Sequence, residues 1–265
     1  MLAALAYEWQ RIRSIRSTWW LAGGSVVATA IMAFGYSGVV RSMLSSGVEV
    51  DGLEATVLVV SKASMATIVA GILGVCAVGN DYRYGTMRTT LLVIPRRTVA
   101  LAAKSLVVTA CGAALTVVNL AVAWVVGSLV LVELPPDVGG VPGFLQLHLG
   151  QVVLVSAWAL VGIAVTVLTR SQLWGMAVLL LVPFVVEPMF RTVGMLSGQG
   201  WLETVAGYLP FSAGEAITDI SSGAVRVLLA PESSRVGPLA GGAILLGTVG
   251  VLWAAALVRF RRQDA

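Results

Sequence analysis

Residues 144–190, FLQLHLGQVVLVSAWALVGIAVTVLTRSQLWGMAVLLLVPFVVEPMF, decide the fold. Two apolar runs, 144–168 and 173–190, are joined by only Thr169, Arg170, Ser171 and Gln172. Each run reaches the ~18 residues that a helix needs to cross a hydrocarbon core of ~30 Å. Neither alternates polar and apolar residues as a half-buried strand would. Two such runs with so short a polar joint predict an antiparallel pair of membrane-spanning helices.

Four more runs of the same kind lie outward from this pair, at 18–40, 57–79, 98–132 and 238–258. The expected fold class is therefore an all-α integral membrane protein with six transmembrane helices. The run 98–132 is too long for a simple crossing, so its first turns, up to Lys104, are expected in the cytoplasmic interface, with the Lys104 ammonium snorkelling to the inner face. Composition agrees: 58% of the residues are hydrophobic and only 11% charged, with a mean hydropathy of +0.92. A water-soluble domain of this length needs far more polar surface. The first run, 18–40, follows basic residues as a signal peptide would, but it is long and no small-residue cleavage site follows, so a retained helix is expected. With no repeat and no linker, the chain reads as one membrane domain over 1–265.

Orientation follows from the basic residues. With the N-terminus inside, the cytoplasmic face holds Arg11, Arg13, Arg16, Arg83, Arg88, Arg96, Arg97, Lys104, Arg170, Arg259, Arg261 and Arg262. Only Arg41, Lys62, Arg191, Arg226 and Arg235 then fall outside. The expectation is a multi-pass protein of the cell membrane with both termini cytoplasmic. The net charge of +4 sits in these short loops, which is topology signalling and not a nucleic-acid surface.

Catalytic and metal chemistry find little to work with. Cys76 and Cys111 lie singly inside apolar runs, where small packing residues are expected. His148 is the one histidine and reads as a polar anchor near the outer interface. An intramembrane serine protease would need a histidine at depth, and a metalloprotease a ligand cluster. No GxxxxGK[ST] stretch occurs either, so no nucleotide site is expected in this chain.

Three segments stand out beyond the spans. At the N-terminus, Leu2, Leu5, Trp9, Ile12, Ile15 and Trp19 recur at spacings of three and four. That pattern predicts an amphipathic helix in the inner interface, with Trp9 at headgroup depth and Arg11, Arg13 and Arg16 reaching phosphates. Near the end of the fifth run, where Pro188 and Arg191 mark the expected helix end, Glu187 and Arg191 stand four apart and can pair on one helix face. The residues 191–237 that follow are too polar and interrupted to span, and predict short interfacial or re-entrant helices on the outer face.

The third segment is the inner loop, GNDYRYGTMRTTLLVIPRRTVALAAK, residues 79–104. A mere connector could be as short as 169–172. Here Gly85 can turn the chain, Asp81 or Thr86 can cap a short helix, and Met87 and Leu91 share one face beside Arg88. Pro95 suits the first turn of the next helix. Arg96 and Arg97 then sit at that helix's N-terminal end, where the dipole disfavours cations.

This loop resembles the inner-loop signature of ABC-2 type permeases, the membrane subunits of ATP-binding-cassette exporters. Asp81, Arg83, Gly85, Thr86, Pro95, Arg96, Arg97 and Lys104 match that pattern, with Asp81 where many members have Glu. The resemblance implies that Asp81–Arg97, including Arg88 and Leu91, forms a coupling helix docking on a separate ATPase subunit. That partner would bind ATP and Mg, with no cofactor in this chain. It also implies a second permease chain, an N-terminal helix touching the ATPase, and an outer gate region with Glu187, Arg191 and Pro210. Export of a hydrophobic or amphipathic substrate is the function implied. An ion-driven secondary transporter is the alternative, though repeated halves and midplane carboxylates would be expected of it.

Overall fold

The computed structural model describes residues 1–93, 96–134, 136–137, 139–198, 200–218 and 236–262, with backbone alone for Arg88, Leu91, Val93, Met195 and Glu203. The regular elements among these are all helical. They are α1 (Leu2–Ser14), α2 (Arg16–Ser45), α3 (Gly52–Thr56), α4 (Ala66–Tyr84), α5 (Met87–Val93) and α6 (Arg97–Val130), then α7 (Gly140–Thr169) and α8 (Gln172–Leu181). The series closes with α9 (Glu187–Ser197), α10 (Gly200–Gly207), α11 (Pro210–Glu215) and α12 (Pro238–Arg261). Among the described residues six spans are long and apolar enough to cross a membrane: α2, α3 with α4, α6, α7, α8 with α9, and α12.

All six helices overrun the apolar runs that announce them. α2 starts at Arg16 and continues to Ser45, and α4 runs on to Tyr84. Apolarity limits the part of a helix in hydrocarbon, not the helix, so polar and small flanks extend it at one end or both; α6 stops at Val130 and α12 starts with its run at Pro238. α6 is continuous from Arg97, so Lys104 lies two turns inside a regular helix.

α4 and α7 form the centre, and their backbones touch. A Cβ on Gly74 would stand 2.2 Å from the Ala159 carbonyl oxygen, and one on Gly162 2.3 Å from that of Gly71. In lipid no hydrophobic drive holds two spans together, so close packing at small residues carries the association. Val78, Leu101, Val155, Ile163 and Phe260 fill the core around this crossing. α2 and α8 face outward instead, with Trp20 80% and Leu173 72% exposed, as suits surfaces solvated by acyl chains.

Two spans are irregular at depth. The second passes through a π-helical turn, Val57–Ser61, and is interrupted at Ser64 and Met65. The freed groups find partners within the protein. Gln151 donates to the Ser61 carbonyl at 3.1 Å, and the Met65 N–H donates to Thr29 Oγ1 at 3.0 Å. Thr29 in turn donates to Asn119, which is fully buried and also donates to the Leu115 carbonyl at 2.9 Å. Irregular backbone survives in a bilayer only where protein satisfies it in this way. The fifth span has its π turn at Val182–Val186, around Pro183, because proline removes one helical N–H. Pro188 does not end that helix as its sequence suggests; it sits in the first turn of α9, which runs to Ser197 and stops at left-handed Gly198.

Candidate functional site

The inner loop begins where α4 stops. Gly85 takes φ 66°, a left-handed value that turns the chain out of the helix. α5 follows, with the Thr90 N–H and the Thr89 and Thr90 hydroxyls all donating to the Thr86 carbonyl. Thr86 also donates its own hydroxyl to Asp81 Oδ1 at 3.0 Å. Arg83 is exposed and lies 5.5 Å over the Tyr84 ring. Arg96 is exposed just before α6. Pro95 and the side chains of Arg88 and Leu91 fall outside the described residues. The cost of Arg97 at a helix N-terminus has an answer in the fold. Its Nη1 points to the Phe260 carbonyl at 3.5 Å, in the last turn of α12, where the dipole favours a cation.

Beneath the loop, four charged side chains from three helices meet. Asp81 and Glu8 are each 1% exposed and Lys104 2%. Lys104 Nζ lies 2.8 Å from Glu8 Oε1 and 3.0 Å from Asp81 Oδ2. Arg11 closes the group: its two terminal nitrogens reach the two Asp81 oxygens, one at 3.2 Å. The same guanidinium passes Glu8 at 3.6 Å. Two cations and two carboxylates leave the cluster neutral, which is what allows it to be buried. Burial opposes the charge on Arg11, but the neighbouring Asp81 carboxylate outweighs it and holds the guanidinium pKa above its ordinary value.

The sequence reading of several of these residues is corrected here. Lys104 does not snorkel to the inner face; it is fixed between two carboxylates under α1. Arg11 does not reach outward for phosphates with Arg13 and Arg16, which are exposed, but turns inward to Asp81. The face of α1 that meets the protein holds Ala4 and Glu8, with Leu5, Arg11 and Ile12 half-buried beside them, while Leu2 and Trp9 of the apolar stripe are 83% and 51% exposed. Glu8 was not among the expected site residues. Its signal was its place four residues after Ala4 and three before Arg11, together with a lysine inside an apolar span that required a counter-ion.

At the opposite end of the bundle, Glu187 and Pro210 come together and Arg191 does not join them. The Glu187 carboxylate, 3% exposed, accepts from the Phe211 N–H at 3.1 Å and from the Ser212 N–H and hydroxyl at 2.7 Å each. It therefore caps α11, which begins at Pro210. Unpaired N–H groups and the positive end of a helix dipole hold a carboxylate better than an arginine one turn away on its own helix. No Glu187–Arg191 ion pair occurs among the described residues. α11 is seated on α12 at Gly241, where a Cβ would stand 2.2 Å from the Ala213 carbonyl. Arg226 and Arg235 lie outside the described residues. His148, expected as an interfacial anchor, accepts from the Trp124 indole at 3.2 Å and stacks on Phe144.

A six-span helical membrane protein, with a built loop over a buried ionic cluster and no nucleotide-binding motif, has the organisation of a transporter's membrane part. The profile described as ABC-2 family transporter protein matches residues 4–186. The chain belongs to that family and is the membrane protein of an ABC transporter. Comparisons with curated proteins and with solved structures give no match.

Proposed function

We propose that this chain is the permease subunit of an ATP-driven exporter, moving a hydrophobic or amphipathic substrate and powered by a separate ATPase. The observation that carries the reading is the position of Asp81. It precedes the loop, takes a hydrogen bond from Thr86 at its start, and is tied by Lys104 and Arg11 to α6 and α1. A partner pressing on α5 would move α1, α4 and α6 together, because parting any of them breaks a buried ionic contact. ATP-driven closure of two ATPases would thereby shift the bundle between two conformations.

In this reading, both termini and α5 face the cytoplasm, α1 lies in the inner interface, and α10 and α11 are outer re-entrant helices. The whole of 1–265 forms one transmembrane domain. The exposed apolar faces of α2 and α8 suit a second permease chain, identical or related, with lipid on the remainder.

The test is to express the chain with the ATPase encoded beside it, isolate the complex and measure ATP turnover. Arg88→Glu and Arg97→Glu are expected to reduce assembly or uncouple turnover while the chain stays folded in the membrane. Isolation without any ATPase, with transport following an ion gradient, would favour a secondary transporter and sink the reading.

A further inference from the structure

A cavity of about 400 Å³ opens between α2, the start of α4, α7, the π turn of the fifth span and α11. One wall is aromatic: Trp158 meets Phe211 edge-on at 4.7 Å and Phe184 at 6.0 Å between ring centres. The other wall is polar, with Lys62 Nζ 2.6 Å from Glu215 Oε2. Two further groups lining it are buried without hydrogen-bond partners among the described residues, the Gln151 Oε1 oxygen and the Ser64 hydroxyl. Gln151 is 2% exposed and Ser64 9%. Buried polar atoms are almost always satisfied, so two orphans around one cavity point to a ligand that supplies the missing partners.

The two members of the ion pair are unequal. The Glu215 side chain is 61% exposed and that of Lys62 33%. Glu215 can leave for water at little cost, and the part-exposed Lys62 ammonium is then free to take an anion entering the cavity. We propose that the cavity binds an amphiphile whose phosphate or carboxylate displaces Glu215 from Lys62. The Ser64 hydroxyl donates to the same anionic group, and a hydroxyl or amide N–H on the ligand donates to Gln151 Oε1. The acyl or aromatic portion lies against Trp158, Phe184 and Phe211. The inference rests on the permease reading in treating this molecule as the class of substrate moved.

The probe is oleoyl lysophosphatidate carrying a diazirine in its tail. It is applied to the full chain in phosphatidylcholine nanodiscs, without ATPase or nucleotide. Saturable labelling of peptides containing Phe184 or Phe211 is expected. Lys62→Gln should raise the half-saturating concentration roughly tenfold or more, the loss of one charge-assisted contact. Glu215→Gln should lower it several-fold by removing the internal competitor, a gain that a misfolded protein cannot produce. Equal labelling of wild type and Lys62→Gln would overturn the proposal. So would weakening by Glu215→Gln, equal labelling by uncharged monooleoylglycerol, or full competition by inorganic phosphate alone. Because no ATPase is present, such a failure removes the ligand site and leaves the coupling reading to be decided by co-purification.

Discussion

Lys104→Met offers the sharpest test of the ionic cluster. The lysine makes contacts of 2.8 and 3.0 Å to Glu8 and Asp81. At an effective dielectric of about 20, each is worth roughly 6 kcal/mol in gross Coulomb energy. Removing the ammonium from water offsets most of this, at several kcal/mol per ion. The net worth of the lysine is therefore small beside the damage its loss does. Methionine leaves two buried carboxylates facing one guanidinium, and orphaning a buried charge costs about 3–5 kcal/mol. For a chain of this size that corresponds to a fall in Tm on the order of 10 °C.

The assay is thermal unfolding of the purified chain in one detergent, followed by loss of the monodisperse peak. A second variant separates charge from packing. Glu8→Gln with Lys104→Met removes one charge of each sign and keeps the Arg11–Asp81 fork, so it should recover about 2 kcal/mol of the single variant's loss. If Lys104→Met unfolds with wild type, or the double variant is no better than the single, the cluster is not a neutral buried unit and the reasoning fails.

Three further outcomes follow from other sites. Gly74→Ala puts a methyl 2.2 Å from the Ala159 carbonyl and should cost about 1–3 kcal/mol by overpacking, while Gly247→Ala, with nothing within 4 Å, should leave Tm unchanged or slightly raised. Gly85→Ala meets no atom within 4 Å but must hold φ +66°, so it should lose roughly 1–2 kcal/mol from backbone strain alone; Gly85→Asn should lose less in the same melt. Glu187→Ala removes the cap of α11 and should cost about 1.5–3 kcal/mol, read as faster proteolysis at residues 207–209, with Glu187→Gln intermediate.

What the sequence makes legible is set by the range of the interaction concerned. The six spans are legible because crossing a bilayer is a requirement on consecutive residues, and the turn at Gly85 is legible because left-handed backbone is a local matter. Lys104 was misread because depth in its own helix is local information, while its partners lie on α1 and at the end of α4. Glu187 was misread for the same reason: Arg191 is its neighbour in sequence, but the free N–H groups of α11 are nearer in space. The interruption at Ser64 and Met65 carries no proline or glycine to announce it. It is stabilised by Thr29 and Gln151 from other helices, which no reading of 57–79 alone can supply.

The two misread charges have one physical role. α1 and α11 are helices that do not span, and each must be held at a fixed place against spans in lipid. Apolar contact cannot specify that place strongly, because acyl chains solvate an apolar helix face about as well as another helix does. A buried carboxylate can, since every position but the right one leaves it without partners. Glu8 and Asp81 fix α1 on α4 and α6 through Lys104 and Arg11, and Glu187 fixes α11 on the fifth span through the Phe211 and Ser212 N–H groups. Both joints are short in reach and steep in energy. A bundle with such a joint at each end moves its non-spanning helices together with its spans or parts them altogether, and that is the mechanical property a subunit needs if force enters at one end and a pathway opens at the other.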